Sequence, residues 1–222
     1  MNKVRKLEEA VAAVNNGATV MIGGFLAVGS PTDIIDGLVA KGVKDLTVIA
    51  NDTGFPDKGI GKLVVNKQVK KCVVTHIGTN PETGRQMMAG EMEVVLTPQG
   101  TLAEQIRAGG AGIGGILTPT GVGTVVEKGK QIITVGGKQY LLELPVRADI
   151  ALLKAHKADK AGNLVLRRSA KNFNQVMALA ADKVIAEVEQ IVEVGAIDPD
   201  EVTIPGVVVD WIVLGKGGAV NG

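Results

Sequence analysis

Short apolar runs alternate with helical patterns along the first half of the chain, and glycine-rich loops separate them. Ala18–Ile22, Asp45–Ala50 and Lys71–His76 have the composition of buried strands. Residues 6–16 and 30–42 carry apolar side chains at helical spacing. A helix between two strands returns the chain to the start of the next strand, so such strands run parallel. The pattern predicts an α/β fold with a largely parallel sheet flanked by helices.

The helix ends carry their own signals. Gly17 is expected to end the first helix. Ser30 is expected to cap the second helix, with Pro31 in its first turn and Lys41-Gly42 at its end.

The second half repeats this pattern and adds one antiparallel feature. Gly136-Gly137 joins the apolar runs 131–135 and 138–142, as the two-residue turn of a β-hairpin does. Further elements are expected as strands at 93–97, 150–154 and 183–186, as helices at 101–108 and 174–180, and as a valine-rich segment at 207–213. Because no linker or repeat divides the chain, we expect residues 1–222 to form a single domain.

Composition excludes several classes of function. Twenty-four basic and 23 acidic side chains give a net charge of +1, and aromatic residues make up 2%. A chain with so little net charge lacks the excess of positive charge that proteins use to bind nucleic acid or an anionic membrane surface. Cys72 is the only cysteine, so neither an internal disulfide nor a cysteine-cluster metal site is expected. With no signal peptide or spanning segment in the sequence, we expect a cytoplasmic protein without a metal or a permanently bound cofactor.

Ligands of open parallel sheets bind beyond the carboxyl ends of the strands. Three loops qualify here: 23–30, 51–59 and 98–100. The candidate binding stretch is the first loop, which we call the 23–29 loop; it consists of Gly23, Gly24, Phe25, Leu26, Ala27, Val28 and Gly29. Its glycines are expected to leave backbone N–H groups free, and the helix after it to point its positive end at a phosphate or an oxyanion. The alternative is a plain tight turn.

Two neutral amides are the candidate catalytic side chains. Asn51 and Gln99 each follow a strand and can donate N–H groups to charge that develops on an oxygen. Capping of a turn is the alternative role. Nucleophiles are scarce, because Cys72 has the setting of a core residue and only His76, at a strand end, could reach a site. The chain offers hydrogen-bond donors without an obvious nucleophile.

Residues 16–31, Asn-Gly-Ala-Thr-Val-Met-Ile-Gly-Gly-Phe-Leu-Ala-Val-Gly-Ser-Pro, resemble the signature of the A (alpha) subunit of class I CoA-transferases at every specified position. The likeness continues through segments 49–54, 76–84, 90–102, 107–112, 118–124 and 171–174. It therefore spans nearly the whole chain, and it is strongest to the A subunits of acetate or butyrate–acetoacetate CoA-transferases.

The resemblance implies one part of a heteromeric enzyme that moves CoA between short-chain carboxylic acids, such as acetoacetate and acetate or butyrate. In this family a glutamate attacks the acyl-CoA, and a glutamyl-CoA thioester forms on it. That glutamate belongs to the B subunit, so the resemblance implies a B-subunit partner and an A2B2 assembly. The resemblance also implies that the 23–29 loop binds CoA and that Asn51 and Gln99 hold the acyl group. Some fused relatives have asparagine where this chain has Asp52. The resemblance therefore implies no hydrogen-bond donor role for Asp52.

Two alternatives from other classes remain open at this point. A self-contained sugar-phosphate isomerase of similar fold would need its own acid and base, such as His76 with Glu82 or Asp52. A non-catalytic ligand-sensing module of the same fold would usually carry a helix-turn-helix segment, for which the short N-terminal stretch leaves no room.

Overall fold

Within residues 2–221, a computed structural model of the chain contains twelve strands and six α-helices. The strands are β1 Val4–Arg5, β2 Thr19–Ile22, β3 Leu46–Ile49, β4 Val69–Val74, β5 Glu93–Leu96, β6 Ile116–Thr118, β7 Ile132–Val135, β8 Lys138–Glu143, β9 Ala148–Asp159, β10 Leu164–Val165, β11 Ala181–Val192 and β12 Trp211–Asn221. The helices are α1 Leu7–Ala13, α2 Thr32–Lys41, α3 Ile60–Val65, α4 Pro81–Met88, α5 Gln99–Ala111 and α6 Asn174–Met177.

The main sheet has nine strands in the order β1-β12-β11-β9-β2-β3-β4-β5, with β10 paired to β9. Every pair along that order is parallel, and the β10 pair alone is antiparallel. A separate antiparallel sheet has the order β6-β8-β7. The predicted fold class is therefore confirmed, and the predicted hairpin is β7–β8 with β6 added as a third strand.

Strand order reverses between β2 and β9. From β2 the chain builds β3, β4 and β5 outward on one side, while β9, β11 and β12 follow on the other. Such a reversal leaves a crevice at the carboxyl ends of the two strands, because their connections leave in opposite directions. The 23–29 loop follows β2 directly, so it lies at this crevice.

Two apolar cores cover the two faces of the sheet. Met21 and Ile22 are neighbours on β2 and, as the period of a strand requires, belong to opposite cores. Ile22 packs with the core that contains Leu38 of α2, and Met21 packs with the core that contains Ile106 of α5. Burial on both faces explains why the central strands are continuous apolar runs rather than alternating ones.

Several predicted boundaries are wrong. The first helix stops at Ala13 rather than residue 16, with Val14 as its C-cap, and Gly17 instead provides the positive φ of 76° in the turn before β2. Helices α3 and α4 are short and were missed by the sequence patterns. The expected strands at 150–154 and 183–186 extend to β9 and β11, each 12 residues long. The strand at 93–97 was expected to be buried, but Glu93 and Leu96 are exposed because β5 is an edge strand.

The beginning of α2 also differs from the prediction. Pro31 occupies the N-cap position, and the hydroxyl of Ser30 donates to the carbonyl of Gly23 at 3.0 Å instead of capping the helix. The carboxylate of Glu187 on β11 does the capping: its Oε2 accepts from the N–H groups of Asp33 and Ile34, both at 2.9 Å. Two of the N–H groups at the positive end of α2, which the sequence suggests for a phosphate or an oxyanion, are therefore already bound within the protein.

Candidate functional site

The 23–29 loop contains a tight turn held by two backbone hydrogen bonds between Phe25 and Val28, of 3.0 and 2.9 Å. Its central residues, Leu26 and Ala27, have positive φ angles of 47° and 69°. A residue other than glycine in this left-handed backbone conformation costs about 1–2 kcal/mol. The turn has two such residues in succession, so contacts with the rest of the protein must hold it. Phe25 and Val28 remain exposed at 45% and 52%, which places two apolar side chains at the edge of the crevice.

Most N–H groups of the loop already have acceptors inside the protein, namely those of Gly23, Gly24, Phe25, Leu26 and Val28. The expectation that the glycines leave these groups free is therefore wrong for most of the loop. Within residues 2–221, the N–H groups of Ala27 and Gly29 have no acceptor. A ligand that binds the loop backbone has these two donors available.

Two asparagines from far along the chain hold the loop. Asn172 Oδ1 accepts from the N–H of Gly24 at 3.2 Å, and its Nδ2 donates to the carbonyl of Val28 at 3.1 Å. Asn174 Nδ2 donates to the carbonyl of Gly29 at 2.9 Å. A Cβ atom on residue 23 would lie 1.9 Å from Asn174 Oδ1, which requires glycine there. Sequence patterns gave no role to these asparagines, because 148 residues separate Asn172 from Gly24.

A second tight turn lies beside the first. Phe55 and Lys58 bracket the turn after β3 as Phe25 and Val28 bracket the turn after β2, with a backbone bond of 3.1 Å from Lys58 N–H to the Phe55 carbonyl. A Cβ atom on Gly59 would be in van der Waals contact, 3.4 Å, with the Cβ of Ala27. Phe55 is 37% exposed, so both turns present a phenyl ring.

The two predicted amides meet at the carboxyl ends of β3 and β5. Gln99 Nε2 donates to Asn51 Oδ1 at 2.6 Å, and Asn51 Nδ2 donates to Asp52 Oδ2 at 2.8 Å. Asn51 is completely buried, whereas Gln99, the first residue of α5, is exposed. The pair therefore has an inner member that is held by the protein and an outer member that faces solvent.

Two clefts lie near the loop and near the start of α5. One, of about 440 Å³, lies between residues 27–32 of the loop region and a wall that includes His156, Arg167 and Arg168. Its positive side is partly offset by Glu189, whose carboxylate lies 2.8 Å from His156 Nδ1. The other, of about 630 Å³, lies between the first turn of α5 and β6, next to Gln99.

Of the remaining candidates of the sequence analysis, Cys72 and Glu82 are engaged elsewhere, and His76 is exposed beside Asp52. Cys72 is a core residue, as predicted, and burial, together with Glu93, raises the pKa of its thiol to about 12. Arg85 hydrogen-bonds Glu82 and Glu91 and lowers the pKa of each carboxyl to about 2. A carboxylate with so low a pKa is a weak base at neutral pH, so Glu82 is unsuited to the base role that an isomerase would need. His76 is exposed and lies next to Asp52 through a backbone bridge.

The chain matches the family model described as Coenzyme A transferase over residues 4–215. It belongs to the coenzyme A transferase family. The chain is 55% identical over 214 residues to the acetate CoA-transferase subunit alpha of Escherichia coli K12, a match that covers 96% of this chain and 97% of the relative. It is 49% identical over 212 residues to the acetoacetyl-CoA:acetate/butyrate CoA transferase alpha subunit of Clostridium acetobutylicum, with the same coverage. By sequence this CoA-transferase chain is of the alpha, or A, type.

Solved structures share the fold of this CoA-transferase chain. The acyl-CoA transferase YdiF of Escherichia coli O157:H7 superposes with a TM-score of 0.86 over 99% of this chain, at 24% identity. This chain spans about half of that protein, 49% of its length. Glutaconate coenzyme A-transferase from Acidaminococcus fermentans gives a TM-score of 0.82 over 96% of this chain and 75% of its own, at 22% identity.

Family membership removes the support for the two alternatives, the isomerase and the sensing module.

In residues 2–221, no helix combines the length and the apolar character needed to cross a membrane. The same residues contain no cluster of three or more histidine, cysteine, aspartate or glutamate side chains that could hold a metal ion.

Proposed function

We propose that this chain is the A subunit of a heteromeric enzyme that moves CoA between short-chain carboxylic acids, with acetoacetate and acetate or butyrate as the acids. Its partner is a B subunit that carries the nucleophilic glutamate, in an assembly of two copies of each chain. The hydrogen-bonded pair of Asn51 and Gln99 beside the 23–29 loop carries the proposal. The names of the curated relatives, which are alpha subunits of such transferases, support the substrate class and the partner.

In the proposed reaction, the glutamate carboxylate of the partner attacks the thioester carbonyl of an acyl-CoA. The tetrahedral oxyanion collapses, the carbon–sulfur bond breaks, and an acyl–glutamyl anhydride and CoA thiolate result. The thiolate then attacks the glutamyl carbonyl, which gives a glutamyl-CoA thioester and releases the first acid as its carboxylate. A second acid reverses both steps and leaves as the new acyl-CoA. Each step forms an oxyanion that N–H donors stabilise.

The amide pair suits this chemistry through a division of roles. Gln99 Nε2 uses one N–H on Asn51 Oδ1, and its exposed side chain can offer the other N–H to an oxyanion. Asn51 is buried, so its role is to hold the Gln99 amide in position through the hydrogen bond between them. The donors of Ala27 and Gly29 in the 23–29 loop are available to the CoA moiety. CoA is on this account a substrate and not a resident cofactor.

The position of the covalent intermediate tests the proposal. The purified complex is incubated with acetoacetyl-CoA without an acceptor acid, and the mass of each chain is measured under denaturing conditions. We expect a CoA adduct on the partner chain, and we expect hydroxylamine to remove it, since the bond is a thioester. An adduct on the chain described here would contradict the proposal.

A further inference from the structure

The carboxylate of Asp52 joins three parts of the site. It is 4% exposed, and its Oδ2 accepts from the N–H of Leu26 at 3.0 Å and from Asn51 Nδ2 at 2.8 Å. Its Oδ1 accepts from the N–H of Gly54 at 2.7 Å, in the turn after β3. One side chain therefore connects the 23–29 loop, the neighbouring turn and the amide pair.

The bond to Asp52 determines which way the Asn51 amide faces. An ionised carboxylate only accepts hydrogen bonds, so Asn51 must turn its Nδ2 toward Asp52. Its Oδ1 then faces Gln99 Nε2, as observed at 2.6 Å. If the Asn51 amide were reversed, its Nδ2 would meet Gln99 Nε2, donor against donor. The orientation of the exposed Gln99 amide thus depends on the oxygen that Asp52 offers to Asn51.

The same carboxylate oxygen also holds the strained turn of the loop. Leu26, which donates to Asp52 Oδ2, has a positive φ of 47°, a conformation that a leucine adopts only when neighbours hold it there. Because Oδ2 accepts from both Leu26 and Asn51, a shift of the loop is transmitted to the amide pair through a single atom.

We propose that Asp52 is a positioning residue that couples the 23–29 loop to the Asn51–Gln99 pair and fixes the orientation of the Gln99 amide. This inference rests on the proposed function, because it assumes that the loop meets CoA and that Gln99 meets the oxyanion. Asp52 itself does not touch the reacting atoms; it acts through Leu26 and Asn51.

Asp159 provides a matched control within the same chain. It is 2% exposed and accepts from the N–H groups of Ala161 and Asn163, both at 3.0 Å, and from Asn163 Nδ2 at 2.7 Å. It lies seven residues beyond Leu152 on β9, and Leu152 pairs with Ile22 at the start of the loop. At about 3.3 Å per residue the separation along the strand is about 23 Å. Asp159→Ala therefore loses equivalent bonds away from the site.

The test compares Asp52→Ala with Asp159→Ala in the complex of this chain with its partner. Alanine at position 52 removes the oxygen that accepts from Leu26 and Asn51, which lets the Asn51 amide reverse. We expect Asp52→Ala to lower kcat about 100-fold, as misplacement of a catalytic donor does, while KM for acetoacetyl-CoA stays within about threefold. We expect Asp159→Ala to keep kcat within about twofold of the wild type at a similar loss of Tm, and hydrogen exchange of the 23–30 peptide should accelerate in Asp52→Ala alone. We expect Asp52→Asn to recover most of the wild-type kcat, because its Oδ1 can still accept from Leu26 and Asn51 and only the bond to Gly54 is lost.

Each outcome decides the inference. Wild-type kcat in Asp52→Ala, equal losses of kcat in both alanine variants, or no recovery of kcat in Asp52→Asn overturns the positioning role. If the wild-type complex transfers no CoA at all, the proposed function fails, and the exchange experiment still tests the coupling. Unchanged exchange of the 23–30 peptide in Asp52→Ala then overturns it. Asp52→Ala leaves three donors in the site without an acceptor, so Asp52→Ser, with the same measurements and the same expected results, replaces it if it does not fold.

Discussion

Replacing Gln99 with alanine is expected to lower kcat of the transferase complex about 100- to 1,000-fold, the usual cost of one lost oxyanion donor. Gln99 is exposed at the start of α5 and its amide is held by Asn51, so truncation removes the donor without opening a core. The affinity for CoA should change little, because the Gln99 amide bonds Asn51 and makes no hydrogen bond to the 23–29 loop. Steady-state kinetics and a CoA binding titration measure the two quantities separately.

Gln139→Ala is the control for this substitution. Gln139 is an exposed glutamine on β8 of the small antiparallel sheet, and we expect kcat within about twofold of the wild type for its variant. If Gln99→Ala lowers kcat and the affinity for CoA by the same factor, Gln99 binds the ground state and does not support an oxyanion.

The second large effect is expected at the buried ion pair between Lys154 and Glu187. Glu187 is completely buried, and its Oε1 lies 2.8 Å from Lys154 Nζ while its Oε2 caps α2. Removing the cation leaves a buried carboxylate without its partner, which costs about 3–5 kcal/mol. The two N–H groups of α2 still bind Glu187, so we expect Lys154→Met to lower the free energy of unfolding by about 3 kcal/mol. Urea unfolding of the full chain measures this.

Two further variants separate burial from charge. Lys160 pairs with Glu193 at the far end of β9, and both side chains of that pair are substantially exposed. Lys160→Met should therefore cost under about 1 kcal/mol. Combining Lys154→Met with Glu187→Gln removes the stranded charge, and we expect that variant to be more stable than Lys154→Met alone. A loss in Lys154→Met no larger than in Lys160→Met would contradict this interpretation of the pair.

The sequence predicts the parallel sheet because its central strands are buried on both faces, and such strands appear as continuous apolar runs. Met21 and Ile22, packed into opposite cores, show why. The short helix Ile60–Val65 has only six residues, too few for a helical period to be distinguished from a strand. The edge strand Glu93–Leu96 was predicted correctly as a strand, but its exposure depends on strand order, which local sequence does not encode.

The sequence predicts two amides at the ends of strands, but it does not predict the hydrogen bonds that surround them. Asn51 and Gln99 stand out as amides at strand ends, and the structure brings them within 2.6 Å of each other. The capping of α2 by Glu187 was not predictable, because 154 residues separate Glu187 from Asp33. Glycines in the 23–29 loop suggested free backbone donors, whereas Asn172 and Asp52 bind two of the loop N–H groups. Side chains distant in sequence decide which donors a loop offers.

We expect this chain to transfer CoA only as one part of a heteromeric enzyme. The most direct test is to purify the tagged chain from its host, determine the composition of the intact complex by native mass spectrometry and assay CoA transfer from acetoacetyl-CoA to acetate. We expect a second protein in equal number, with transferase activity in the complex and none in the separated chain. A homo-oligomer of this chain alone with full transferase activity would contradict the proposed function.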